Sequence, residues 1–175
     1  MTPPSQTPII LSASRRTDIP AFYMDWFMQR IREGGFEVTN PYNRHVSRVP
    51  ASPGAVHSIV FWSKDFRPFL DGRYGEALNR MGYRLFFNFT INSASKWLEP
   101  GIPPLDERLE TLSRLCAAFG PASVNWRFDP ICFYTRPDGT PAHNLFDFPK
   151  IAETAARLGI RRCITSFMDH YPKIK

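Results

Sequence analysis

The chain has 175 residues, of which 43% are hydrophobic and 14% aromatic, and this composition predicts one folded domain with a sizeable core. Its net charge of +6 comes mainly from arginine, which suits planar contacts with carboxylate or phosphate groups. The polar start lacks the apolar core of a signal peptide, and no apolar run is long enough to span a bilayer, so we predict a cytoplasmic protein without a membrane partner. The three cysteines are far apart, which is typical of reduced thiols.

Strands and helices alternate along the predicted chain. After a disordered lead-in over residues 1–8, a single domain covers residues 9–175. Apolar segments predict strands at 9–14, 58–63, 83–91, 123–129 and 162–166. Apolar residues at helical spacing predict helices at 18–34, 74–81, 105–119 and 148–158. The connection over 36–57 is long, which favours a functional loop, and its first four residues also fit a short strand.

This alternation predicts parallel strands joined by helices. One architecture that fits is an incomplete TIM-like (β/α) barrel with about five parallel strands, and the alternative is an open doubly wound parallel sheet. A complete barrel needs about eight strands and roughly 250 residues, so the barrel interpretation makes this domain the N-terminal part of a larger one. Polar residues on one face of the strands favour the barrel, because an open sheet covered by helices is apolar on both faces.

Residues on a strand alternate between its two faces, so each predicted strand can be divided into an apolar and a polar set. The polar sets collect near the carboxyl ends, where parallel α/β proteins place their sites. They comprise Ser14, Arg16, Lys64, Asn88, Thr90, Arg127, Asp129 and Ser166. Three basic residues against one acid in this set predict an anionic small molecule, bearing phosphate or carboxylate, as the ligand.

The residues receive separate roles. Asp129, Lys64 and Arg127 are the candidate catalytic residues, with Asp129 as general base or polar anchor. The candidate ligand-binding residues are Ser14, Arg16, Asn43, Asn88, Thr90, Asn125, Ser166 and Asp169. A structural alternative is that Arg127 and Asp129 pair with neighbours in an internal ion layer. Asp18 is interpreted as a helix cap rather than a catalyst.

No metal site is predicted, although Asp169 with His170 is a weak candidate for a metal or acid–base pair. The chain has no glycine-rich phosphate loop, no dinucleotide fingerprint and no nucleophile elbow. Two other interpretations remain open. One is a nucleic-acid-binding module that uses arginine together with tryptophan and phenylalanine stacking. The other is an inactive, truncated remnant that associates with itself through exposed strand edges.

Several motifs carry a resemblance to a known family. They are SASRRTDIPAFY at 12–23, NPYN at 40–43, IVFWSK at 59–64, FT at 89–90, LEP at 98–100, WRFDPI at 126–131 and SFMDHY at 166–171. Together they resemble the prokaryotic domain of unknown function 1848 family, with Phe128 where tyrosine is more usual. The resemblance implies a barrel-like fold, and it implies that full-length members continue further along the chain.

The resemblance also bears on cofactors. In full-length members the C-terminal part carries a cysteine cluster similar to the iron–sulfur motif of radical S-adenosylmethionine enzymes. Cys116, Cys132 and Cys163 do not match that cluster. The resemblance therefore implies an iron–sulfur cluster and S-adenosylmethionine only in full-length relatives, no cofactor in this chain, and an enzyme activity that the sequence leaves undecided.

Overall fold

The structure is a computed structural model that describes residues 7–14 and 16–169. Strands and helices alternate along the chain, which divides into two compact units, Met1–Phe87 and Asn88–Lys175. Most of the predicted lead-in, at residues 1–6, and His170 lie outside the described residues.

The first unit combines strands of the main sheet with one antiparallel hairpin. Its strands are β1 (Ile9–Ser12), β2 (Gly35–Thr39), β3 (Val46–Pro50) and β4 (Val56–Ser63), and its helices are α1 (Ile19–Phe22), α2 (Met24–Arg32), α3 (Arg67–Asp71) and α4 (Tyr74–Arg80). β1 and β4 are parallel neighbours, with Leu11 opposite Ile59. β2 and β3 pair in antiparallel fashion, with Phe36 opposite Val49.

The strand β5 (Leu85–Thr90) runs across the boundary between the units. The second unit continues with helices α5 (Leu105–Phe119) and α6 (Phe148–Arg157) and with strands β6 (Val124–Ile131), β7 (Phe133–Thr135), β8 (Pro141–His143) and β9 (Cys163–Phe167). β6 and β9 are parallel, with Trp126 opposite Cys163, whereas β7 and β8 form a short antiparallel hairpin.

The main sheet contains five parallel strands in the order β1-β4-β5-β6-β9. The predicted α/β class with five parallel strands is therefore confirmed. A sheet of five parallel strands is consistent with both predicted architectures, the incomplete barrel and the open parallel sheet.

The core of the first unit is built from phenylalanine rings. Phe61 on β4 lies 5.3 Å from the ring of Phe27 on α2 and 5.1 Å from the ring of Phe69 on α3, measured between centroids. All three side chains are buried, and each aromatic ring removes a large apolar area from water. This cluster fixes α2 and α3 against the strand.

The core of the second unit combines aromatic residues with the apolar stripe of α5. Phe148, at the start of α6, lies 5.1 Å from both Trp126 and Phe128 on β6. Leu109 and Leu112 on α5 are buried, as the helical spacing predicts. The side chains that β6 directs to its other face are polar, and they are described below with the candidate site.

The long connection over 36–57 differs from the prediction of a loop with one short strand. Residues 36–39 do form the main part of β2, but Val46–Pro50 supplies a second strand that pairs with it. The tight turn between them contains Arg44 in the left-handed region at φ 59°. The first three residues of this second strand are all exposed, so it does not alternate between buried and exposed residues as a strand on a core does.

Other elements also differ from the sequence prediction. The helix predicted over 18–34 is interrupted at Tyr23, whose φ of −133° is not helical, so α1 and α2 are separate. The helix α3 and the hairpin of β7 and β8 were not predicted, because both are too short to establish a period. The last strand, β9, is an edge of the main sheet, and all five of its residues are exposed.

Candidate functional site

In the first unit, polar contacts concentrate around Asp18, which lies between β1 and α1. Its Oδ1 accepts a hydrogen bond from the backbone N–H of Ala21 at 3.1 Å, so the predicted capping role is confirmed. Its Oδ2 accepts from Ser63 Oγ at 2.9 Å and from the backbone N–H of Lys64 at 3.1 Å, which joins the helix start to the end of β4. Burial raises the pKa of the Asp18 carboxyl, and the three hydrogen bonds oppose that rise.

The other predicted site residues of this unit have mainly structural contacts. Ser14, in the left-handed region at φ 73°, accepts a hydrogen bond from the backbone N–H of Ile19 at 3.3 Å. Arg16 is exposed and donates to the carbonyl of Thr39 at 2.8 Å, at the end of β2. Asn43 is exposed, and its Oδ1 accepts from a backbone N–H two residues further along the hairpin turn. Lys64 is half-buried at the end of β4.

In the second unit, the predicted alternation of faces is observed on β6. Val124, Trp126 and Phe128 are buried, and the residues between them are half-buried. The predicted residues on the strands of this unit are Asn88 and Thr90 on β5, Asn125, Arg127 and Asp129 on β6, and Ser166 on β9. Asn88 and Thr90 are buried, Ser166 on β9 is exposed, and Asp169 is exposed beyond the end of that strand. These predicted residues therefore lie on three strands of the main sheet.

These residues form two groups of contacts. Asn125 Nδ2 donates to Asn88 Oδ1 at 3.4 Å, which connects β6 to β5. Arg127 Nη2 donates to Asp129 Oδ2, and Ser166 Oγ donates to Asp129 Oδ1, so both oxygens of one carboxylate are held. The pairing of Arg127 with Asp129 is the arrangement that the structural alternative predicts. It also fixes the carboxylate in one orientation.

The backbone of Asp129 is held by a residue that the sequence analysis missed, Asn92. This asparagine follows β5 and is only 4% exposed. Its Oδ1 accepts from the Asp129 N–H at 2.9 Å, and its Nδ2 donates to the Asp129 carbonyl at 3.2 Å and to Glu99 Oε1 at 3.1 Å. A buried amide with these partners is satisfied, and it fixes the end of β6 beside the loop after β5.

Arg108 was also missed, although it lies on the apolar stripe of α5. It is 2% exposed, and its Nη1 donates to the carbonyl of Asn92 at 2.9 Å. Burial lowers the pKa of the Arg108 guanidinium, and the charges of Glu99 and Asp147 oppose this. Arginine remains protonated in proteins, so Arg108 is a buried cation that supports the loop.

Asp147 fixes the same loop from the start of α6. Its Oδ2 accepts from the backbone N–H of Ala94 at 2.9 Å, and its own N–H donates to Ser93 Oγ at 2.9 Å. Asn144 performs a related function, since it donates to the carbonyl of Pro130 and accepts from the N–H of Cys132. The segments that follow β5 and β6 are therefore held by the buried side chains of Ser93 and Asn144 and by the half-buried side chain of Asp147.

A sequence signal exists for two of these missed residues. Arg108 occurs at the helical spacing of Leu105, Leu109 and Leu112, where an apolar residue is the norm. Asn92 directly follows the strongest predicted strand, and Asp129 is the last residue of another predicted strand, so both polar residues lie at a strand end. A charged or amide side chain at a core position indicates a buried polar network, because burying such a group without partners is costly.

The described residues do not offer a metal centre. Within 7–14 and 16–169, no three or more histidine, cysteine or acidic side chains are grouped so that they could hold a metal ion. Cys116 and Cys132 are buried, whereas Cys163 is exposed on β9. Burial raises the pKa of the Cys116 thiol to about 11, so it is protonated and a poor ligand at neutral pH. The described residues therefore do not offer the grouped thiolates that an iron–sulfur cluster requires.

Fold and contacts together define a parallel α/β protein in which side chains of β6 and β9 hold one carboxylate, that of Asp129, towards the carboxyl end of β6. The carboxyl ends of parallel strands are where proteins of this class bind ligands. The chain belongs to the family described as Domain of unknown function (DUF1848), whose family model matches residues 10–175. The comparison with curated proteins found no match, and neither did the comparison with solved structures.

Among the described residues, no helix has both the length and the apolar composition needed to cross a bilayer.

Proposed function

We propose that this domain binds an anionic small molecule, bearing phosphate or carboxylate, on the polar face of β5, β6 and β9. The observation that carries the proposal is the fixed group of Arg127, Asp129 and Ser166. The side chains of Arg127 and Asp129 are 21% and 19% exposed, so both are partly shielded from water but reachable by a small ligand. Partial shielding strengthens a charge-assisted hydrogen bond to an anion.

Each residue has a defined part in this proposal. Arg127 contacts the anion, since a guanidinium has five N–H donors in one plane and can serve a protein carboxylate and a ligand together. Asp129 holds the guanidinium in place and is the group that would accept a proton from a ligand. Asn88 and Asn125 supply amide groups on the same face, and these can orient the polar remainder of the ligand.

The buried network behind the face supports the proposal. Asn92 holds the backbone of Asp129 from both its N–H and its carbonyl, and Arg108 in turn holds Asn92. A binding group whose backbone is fixed in this way loses little conformational freedom when a ligand arrives, which favours binding. A surface ion pair of purely structural origin does not need this second layer.

The test is a titration of the purified chain with inorganic phosphate and with acetate, followed by backbone amide NMR. We expect saturable shifts at Arg127 and its neighbours, and we expect Arg127→Ala to weaken phosphate binding about tenfold, since it removes a charge-assisted contact. Asp129→Asn should strengthen phosphate binding several-fold, because it removes a negative charge beside the anion.

Arg157→Ala is the matched control, because Arg157 is an exposed arginine on α6 whose recorded contact is with Thr154 on its own helix. It removes the same charge and should leave phosphate binding unchanged. Equal losses in Arg127→Ala and Arg157→Ala would mean that only net charge matters, and the proposal would be wrong.

A second candidate function, binding of single-stranded nucleic acid, is favoured by exposed aromatic residues in the first unit. Phe22, Tyr23 and Trp26 are exposed around α1 and α2, and Tyr42 is exposed in the hairpin turn. Exposed rings and a basic chain are typical of surfaces on which bases stack. This function predicts binding to a labelled oligonucleotide that weakens steeply between about 50 and 200 mM salt. Fluorescence anisotropy without any salt-dependent signal would remove this candidate.

A further inference from the structure

A cavity in the second unit is lined by residues other than those proposed to bind the anion. It has a volume of about 320 Å³, and its lining is mostly apolar. The lining residues are Trp97, from the loop after β5, and the consecutive residues Tyr134, Thr135, Arg136, Pro137 and Asp138 of β7 and its turn. Small-molecule sites begin at about 300 Å³, so this cavity fits one compact ligand.

Trp97 is the most informative residue of the lining. Its side chain is 76% exposed, although tryptophan is the largest apolar side chain and is usually well covered. Neither Trp97 nor Tyr134 packs against another aromatic ring within residues 7–14 and 16–169. Two uncommitted rings that line one cavity can both contact a flat aromatic ligand, and such stacking is favourable with any base.

The backbone that carries these rings is fixed before any ligand binds. Around Trp97, the N–H of Glu99 donates to the carbonyl of Ser95 at 2.9 Å, and Glu99 itself is held by Asn92. In the hairpin, Tyr134 is paired with Ala142 on β8. A pre-formed backbone reduces the entropy that a ligand must overcome, which favours binding beside these rings.

The two charged residues of the lining, Arg136 and Asp138, differ in their hydrogen bonds. Asp138 Oδ1 accepts from the N–H of Thr140 at 2.9 Å and from its hydroxyl at 2.6 Å, and these bonds lower the pKa of the Asp138 carboxyl. The carboxylate is therefore engaged in the turn. Arg136 also lines the cavity, and its backbone N–H donates to the carbonyl of Thr140. The lining therefore contains one cation, Arg136, and one anion, Asp138, whose oxygen is engaged within the turn, so Arg136 is the group that can contact an anionic part of a ligand.

We propose that this cavity binds a mononucleotide, with the base against Trp97 and Tyr134 and the phosphate on Arg136. Aromatic walls select a flat ring, the arginine selects an anionic group on it, and the volume limits the ligand to about one nucleotide. A quaternary ammonium ligand would also use aromatic rings, but it needs a cage without a neighbouring arginine. This inference concerns a second site and does not rest on the anion site at Arg127.

The experiment is isothermal titration calorimetry of the full chain with adenosine monophosphate, adenosine, choline and inorganic phosphate. We expect saturable binding of the nucleotide, and Trp97→Ala should weaken it about tenfold or more, since one stacking surface is lost. Arg136→Ala should weaken the nucleotide and leave the uncharged nucleoside unchanged, because only the former carries the phosphate that Arg136 contacts.

Two variants serve as controls, and circular dichroism checks that every variant is folded. Phe146→Ala removes an exposed aromatic side chain from the loop before α6 and should leave nucleotide binding unchanged. Arg157→Ala removes an exposed arginine from α6 and should also leave nucleotide binding unchanged, so net charge alone cannot account for a loss in Arg136→Ala. Absence of nucleotide binding, equal losses in Trp97→Ala and Phe146→Ala, or binding of choline in place of the nucleotide would each overturn the proposal.

Discussion

Asp18 in the first unit and Asp129 in the second each accept a hydrogen bond from a serine, but their other hydrogen-bond donors differ. Each carboxylate accepts a hydrogen bond from a serine on a neighbouring parallel strand, Ser63 in one unit and Ser166 in the other. Their remaining partners differ, because Asp18 also accepts from backbone N–H groups and Asp129 also accepts from the guanidinium of Arg127.

The comparison separates a structural carboxylate from a candidate binding group. Backbone donors cannot move away, so Asp18 is committed to capping α1 and joining it to β4. A guanidinium can change its contacts when an anion arrives, so the Arg127–Asp129 pair can respond to a ligand. The serine donor is common to both, and the identity of the other donors decides what the carboxylate does.

The largest expected effect is on the free energy of unfolding and comes from substitution of Asn92, which holds the backbone of Asp129. Asn92→Ala removes a buried amide and its two hydrogen bonds to the Asp129 backbone, so the free energy of unfolding should fall by about 3 kcal/mol. Urea denaturation measures this change. Asn125→Ala is the matched control, because the Asn125 side chain is half-buried and its contact with Asn88 is long, and it should cost less than about 1 kcal/mol.

Asn92→Ala also tests the link between the buried network and the binding face. A loss for Asn92→Ala no greater than that for Asn125→Ala would show that the network contributes little. In that case the proposed fixing of Asp129 would lose its support.

A smaller effect distinguishes the two serines directly. Ser63 is buried and donates to the partly buried Asp18, so Ser63→Ala should lower the free energy of unfolding by about 1.5 kcal/mol. Ser166 is exposed on an edge strand, so Ser166→Ala should change it by less than about 0.5 kcal/mol. Chemical denaturation of the two variants in one buffer checks the difference, and equal losses would contradict the structural distinction between the units.

The smallest effect concerns pH and the Asp18 carboxyl. Burial raises the pKa of Asp18 in the folded chain above the ordinary value of 3.8. At a pH between 3.8 and the raised pKa, the folded state therefore binds more protons than the unfolded state. As the pH falls through this window, the wild-type chain should gain stability relative to Asp18→Asn, which cannot titrate there.

Measuring both chains by urea denaturation at several pH values between about 4 and 6.5 tests this, because other titrating groups cancel in the difference. A constant difference would show that the three hydrogen bonds fully offset the cost of burial. The relative gain of the wild type at low pH is expected to be smaller than the effect of Ser63→Ala.

Much of the fold follows from local patterns. The alternation of Val124, Trp126 and Phe128 with polar residues predicts the faces of β6, and Asp18 before Pro20 predicts the start of a helix. These features depend on consecutive residues, so a single segment contains the information. The same reasoning missed the second strand of the first hairpin, since Val46–Pro50 becomes a strand by pairing with β2 rather than by its own pattern.

By itself, the sequence determined the α/β class, the five parallel strands and the polar sets near their ends, because these are set by side-chain period and by caps. Only the tertiary structure decided which polar residues meet. Asn92 reaches Asp129 across 37 residues and Ser63 reaches Asp18 across 45, and such partners become neighbours only after the strands have paired. Local sequence cannot specify those contacts, since they depend on the register and packing of distant segments.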